Sequence, residues 1–74
     1  MSNNWSVIGP AWNEESMAMV DYIREKTGRE PKFFQMYSTM MAFIRHAGID
    51  ENHPVAYRNG HLLGTMDNVR RLLE

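Results

Sequence analysis

The sequence predicts a small, α-rich α+β domain, and three observations carry that reading. Two amphipathic stretches of helical period meet at Gly28 and Pro31, Asn59-Gly60 stands between two short apolar runs, and a final stripe of Met66, Val69, Leu72 and Leu73 repeats at helical spacing. The 74 residues are 43% hydrophobic and 23% charged, an ordinary globular composition, and the length suits one core. Residues 1–74 are therefore read as a single domain, with 1–12 as an N-terminal arm or an edge strand. A chain this short buries only about 60% of its unfolded surface, so its stability is marginal.

Along the chain, Trp5-Ser6-Val7-Ile8 is read as a brief strand or as a coiled arm anchored by Trp5 and Trp12. The first helix starts at Asn13 as N-cap, with Glu14 and Glu15 at the positive end of its dipole, and stops at Lys26-Thr27 before Gly28 in a left-handed cap. Its apolar arc holds Met19, Val20 and Ile23 with Ser16 and Thr27, while Met17 and Tyr22 lie off that stripe.

A second helix is expected between Pro31 in its first turn and Gly48 at its end. Phe33, Phe34, Met36, Tyr37, Met40, Met41, Phe43, Ile44 and Ala47 sweep about half its wheel, so it is expected to form an antiparallel pair with the first helix as the centre of the domain or to carry a dimer interface. Next, Asn59-Gly60 predicts a two-residue hairpin that pairs Arg58 with His61 and Tyr57 with Leu62. Val55, Tyr57 and Leu62 then share the face that covers the helix pair, and Leu63 points outward with Arg58 and His61. Thr65 caps a short last helix that must dock on the core.

Several function classes find no residues here. With no cysteine there is no disulfide framework, thiolate metal site or thiol nucleophile, and the simplest compartment is a reducing one. Met1-Ser2-Asn3-Asn4-Trp5 has no basic region ahead of an apolar run, which together with the missing cysteines leads to an expectation of a cytoplasmic protein away from membranes. The five glycines are scattered singly, so no phosphate loop exists, and Ser6, Ser16 and Ser38 lack the context of a nucleophile elbow. His46, His53 and His61 show no zinc spacing, and Asp50-Glu51-Asn52-His53 lacks the alternation and glycine of an EF-hand loop. The seven methionines are read as core packing rather than copper ligands, and neither a cofactor, a metal nor a catalytic set is expected.

Charge is uneven along the chain: residues 1–23 carry −3, residues 24–45 carry +3, and the rest −1, for a net of −1. The best-supported expectation is a non-enzymatic protein-interaction module: an adaptor, an assembly factor or an inhibitor of a larger protein, the kind of small chain phages and prophages encode. Its expected contact residues are Trp5, Trp12, Met17 and Tyr22, the large apolar groups that the three helical stripes leave over. Homodimerisation through the second helix is compatible with that reading. The alternative is a small DNA-binding regulator using Arg24, Lys26, Arg29, Lys32, Arg58, Arg70 and Arg71, with the hairpin as a wing and the last helix as the reader. In this order of helices, Asn-Gly hairpin and short helix the chain resembles excisionase-like and winged-helix modules.

Overall fold

The computed structural model describes residues 4–50 and 52–74. Four strands and three helices alternate as β1 (Trp5–Gly9), α1 (Glu14–Thr27), β2 (Lys32–Gln35), α2 (Ser38–His46), β3 (Val55–Arg58), β4 (His61–Gly64) and α3 (Met66–Leu73). They build a small α+β fold around one sheet of order β2-β1-β3-β4, in which β1 runs parallel to β2 and antiparallel to β3, and β3 antiparallel to β4.

Side chains alternate across a strand, and β1 uses both faces. Trp5 and Val7 pack with Met19, Val20 and Ile23 of α1, Ala56 of β3 and Val69 of α3. Ile8 turns the other way and packs with Met36, Ile44 of α2 and Val55. The sheet is thus sandwiched, with α1 and α3 on one face and α2 on the other. Trp5–Gly9 occupies an interior position instead of the expected arm or edge, which explains why this strand is apolar almost throughout. Residues 1–3 of that expected arm lie outside the described residues.

α1 forms where its local signals place it. The Asn13 side chain accepts a hydrogen bond from the Ser16 amide at 3.0 Å, and Gly28, at φ 75°, donates its amide to the Arg24 carbonyl at 2.8 Å. Ser16, Met19, Val20 and Ile23 are its buried residues.

The expected helix from Pro31 is corrected by the structure. Lys32–Gln35 forms β2, and only Ser38–His46 is helical. A strand satisfies this segment because β1 offers backbone partners along the register Ser6↔Lys32 to Gly9↔Gln35, and because Phe33 and Phe34 can then face different layers. The half-wheel of apolar residues is the projection of two elements, not of one helix. Consequently α1 and α2 do not form the expected antiparallel pair: α2 lies across the sheet from α1, and α3 shares α1's face and its core cluster. α2 holds on mainly through Ile44, its one wholly buried residue, and so lies at the margin of the fold rather than at the expected centre of the domain.

β3 and β4 join through Asn59 and Gly60 at φ 52° and 83°, with Arg58 opposite His61 and Tyr57 opposite Leu62. Tyr57 and Leu62 pack with Val55 toward α2, whereas Leu63 packs against the α1 and α3 cluster instead of pointing into solvent. Leu72 of the expected α3 stripe is exposed, leaving Val69 as the buried anchor with Met66 and Leu73 beside it. Among the methionines, Met19 and Met36 are buried and Met17 is exposed. No helix among the described residues is long and apolar enough to cross a membrane.

α1 approaches the end of β1 closely. A Cβ on Gly9 would sit 2.5 Å from the Ser16 hydroxyl, itself donating to the Ala11 carbonyl at 2.7 Å, and 3.4 Å from both Phe33 and Pro54. Gly9→Ala is expected to destabilise by about 1–3 kcal/mol, the usual cost of overpacking, as a lowered urea midpoint at unchanged slope. An unchanged midpoint would show that α1 can slide away from the strand without loss.

Candidate interaction surface

β2 is an outer strand, and its surroundings carry much of the exposed apolar surface. The Met36 amide donates to the Gly9 carbonyl at 2.6 Å. By the period of two along a strand, the backbone groups of Phe34 also face β1, and those of Phe33 and Gln35 face outward. On the α1 side, half-buried Phe33 receives the Trp12 ring edge-on, with centroids 4.8 Å apart. On the other side α2 covers Ile8 and Val55 and leaves Phe34 open. Trp12, Phe34, Tyr37 and Phe43 remain 53%, 48%, 64% and 61% exposed, four large aromatics on or beside the β2–α2 segment.

This surface contains only part of the expected contact set. Trp12 belongs to it through Phe33, and Met17 is exposed on α1. Trp5 is corrected to a core residue, 5% exposed, because β1 is interior and its side chain fills the space between sheet and α1. Tyr22 is partly buried against the same cluster, with the Lys26 ammonium 5.7 Å from its ring centre. Sequence reasoning did not place Phe34, Tyr37 and Phe43 on the surface because a helical wheel counts them as core; the signal available was an apolar arc too wide for one helix.

The fold also sorts charge. α1 returns antiparallel to β1, so Glu14 and Glu15 lie where β1 ends, while Lys26, Arg29 and Lys32 lie where β2 begins. Arg58 reaches that same end, opposite Trp5 in β3, with its guanidinium 5.7 Å from the Trp5 ring centre. Arg24 is bound by Asp21 at 2.7 Å and Glu30 at 3.2 Å, and the hydrogen bond to Glu30, followed by the charge of Asp21, pushes its pKa further above the ordinary guanidinium value. A cavity of about 410 Å³ opens at this end, with Ser6, Arg29, Glu30, Lys32 and Phe34 in its wall. Arg70 and Arg71 are exposed on α3, and Arg70 borders a different cavity. The expected basic set is therefore split. The hairpin is zipped onto β1 up to Arg58 and does not project as a wing, and α3 lies on the sheet.

That second cavity, about 400 Å³, lies at the acidic end between α1, the loop before β3 and the start of α3. Its wall includes Glu15 and His53, whose carboxylate oxygen and Nδ1 are 2.7 Å apart, with Asp50 at 3.7 Å from Nε2. The hydrogen bond to Glu15, then its charge, raise the His53 pKa above the ordinary 6.5. No group of three or more His, Cys, Asp and Glu among the described residues could hold a metal ion; Glu51 of the loop considered above lies outside them.

The Glu15–His53 pair ties α1 to the loop and makes a pH prediction. A raised folded pKa means that its contribution is fully present below the unfolded value near 6.5 and is lost as pH rises through the folded pKa. The melting temperature of the wild type minus that of Glu15→Gln is expected to be larger at pH 6 than at pH 8. A difference that stays flat across that interval would show that the pair does not bear on stability.

No protein-family model, curated protein or solved structure matches this chain.

Proposed function

We propose that this chain is a small non-enzymatic protein-interaction module that acts on a larger protein as an adaptor, assembly factor or inhibitor. The observation that carries the reading is the set of exposed aromatics: Trp12 against β2 on one face of the sheet, Phe34 of β2 on the other, and Tyr37 and Phe43 at the cap and in the body of α2. Each leaves apolar area in water that a partner would remove, and rigid aromatic side chains make strong anchors at low entropic cost. The contact set accordingly moves from Trp5 and Tyr22 to the β2 edge and α2, and keeps Trp12.

Capture of partners from a native lysate tests this, using tagged wild type and a Trp12→Ala/Phe34→Ala variant whose melting curve shows it folded. A stoichiometric protein that survives nuclease and is lost with the variant supports the module. Identical captures by both would overturn the role of this surface.

The second reading, a DNA-binding regulator, is favoured by one observation, the gathering of Lys26, Arg29, Lys32 and Arg58 at one end of the sheet. Contact would then run across that end rather than through a wing and a reader helix. Binding to duplex DNA that weakens steeply with salt and with Arg29→Ala/Lys32→Ala would favour it, and no binding at low salt would remove it.

A further inference from the structure

We propose that the open edge of β2 takes up an extended acidic segment of a partner protein as a fifth strand, with its carboxylates at Arg29 and Lys32 and an apolar side chain on Phe34. The inference rests on the protein-interaction reading and names the chemistry of the partner.

Four observations converge on this edge. The sheet has two outer strands that differ in their readiness to pair. β4 carries a register irregularity, with Leu62 and Gly64 opposite the adjacent Tyr57 and Ala56, and ends at Gly64 with φ 121°, and such a break blunts an edge. β2 keeps an unbroken register with β1 and presents the backbone groups of Phe33 and Gln35 outward, where an added strand can bond them. Next to that edge, the cavity at the start of β1 and β2 holds Arg29 and Lys32, both exposed and without an ion pair among the described residues. The carboxylate that would neutralise them, Glu30, is engaged by Arg24 at 3.2 Å. Phe34 completes the site as an apolar pad on the face that α2 leaves open.

Charge selects the occupant. A strand that lies along β2 places two of its side chains, i and i+2 on one face, beside Lys32 and Phe34, so an acidic and an apolar residue two positions apart match the wall. A second copy would bring its own Arg29 and Lys32 to the junction and leave all four cations without carboxylates. Single-stranded nucleic acid could use the same cations and stack on Phe34, but it would leave the outward amides of Phe33 and Gln35 without a strand partner. The observations therefore favour a polypeptide.

The test is an amide-resolved NMR titration of the whole chain with three probes: a short peptide repeating Glu-Thr-Val-Thr, which puts glutamate and valine in turn on one face of a strand, the same peptide with lysine for glutamate, and a single-stranded oligonucleotide. The glutamate peptide is expected to shift the Phe33 and Gln35 amides and slow their hydrogen exchange, and N-methylation of its alternate amides is expected to abolish this. Arg29→Glu/Lys32→Glu lies on exposed positions, so it is expected to keep the fold, lose the glutamate peptide by at least about 5-fold in affinity, and gain the lysine peptide.

The proposal is overturned if the glutamate peptide shows no shifts up to about 1 mM, if its binding survives charge reversal, or if the oligonucleotide shifts the same amides more tightly. Failure here is distinguishable from failure of the interaction-module reading. A lysate partner that is lost with Trp12→Ala/Phe34→Ala but retained by Arg29→Glu/Lys32→Glu would overturn the acidic strand and leave the module standing.

Discussion

Trp5→Ala is expected to remove roughly 3–5 kcal/mol, the range for truncating a buried aromatic residue. Trp5 packs with Val7, Met19, Val20, Ile23, Ala56 and Val69, so its loss opens a cavity where β1, β3, α1 and α3 meet. The Arg58 guanidinium over its ring also loses its partner face. A chain of this length has on the order of 4–11 kcal/mol in total, so much of the variant would be unfolded at room temperature. Urea unfolding followed by circular dichroism measures this without depending on the deleted fluorophore. Trp12→Ala supplies the contrast, since half of Trp12 is already in water and its edge contact with Phe33 is worth about 0.5–1.5 kcal/mol. Equal losses at the two positions would contradict the assignment of one tryptophan to the core and the other to the surface.

Ile44→Ala is expected to cost about 2–5 kcal/mol and to loosen α2 first. The helix has nine residues and no side-chain cap bond at its Tyr37 N-cap, so its own backbone cannot hold it in water. What holds it is the packing of Ile44 with Ile8, Met36 and Val55, with Met40 and Met41 partly buried alongside. Amide exchange within Ser38–His46 is expected to rise more than exchange within α1, because α1 has four buried residues and cap bonds at both ends. Ile44→Val keeps most of the contact and is expected to cost only about 0.5–1.5 kcal/mol. Uniform loss of protection across both helices would show instead that the two core clusters unfold as one unit.

α1 was legible in the sequence because its signals are local: Asn13, the carboxylates of Glu14 and Glu15, a stripe of helical period and Gly28 all act within a few residues of one another. The conformation at Asn59 and Gly60 is local in the same sense, set by two residues at positive φ. The segment at Pro31–Gln35 was not legible. Its aromatics fit a helical wheel and a strand alike, and the β1 backbone that favours the strand is about 26 residues away in the chain, at the offset of Ser6↔Lys32.

The candidate surface divides along the same line. Trp12 stood out in the sequence as apolar surface left over, but Trp5 stood out for the same reason and is core; only the strand order, with β1 inside the sheet, separates them. Phe34, Tyr37 and Phe43 became surface when α2 covered just the Ile8 and Val55 part of its face. By itself the sequence determined the α+β class, the limits of α1, the absence of thiol chemistry and the blocks of opposite charge along the chain. The tertiary structure decided that Lys32–Gln35 pairs as an open outer strand, that α1 and α2 lie on opposite faces, and that Glu14 and Glu15 lie at the opposite end of the sheet from Lys26, Arg29 and Lys32. The physical reason is that caps, turns and periodicity act through neighbouring residues, whereas strand pairing and burial are settled by partners distant in sequence, whose contacts exist only once the chain has folded.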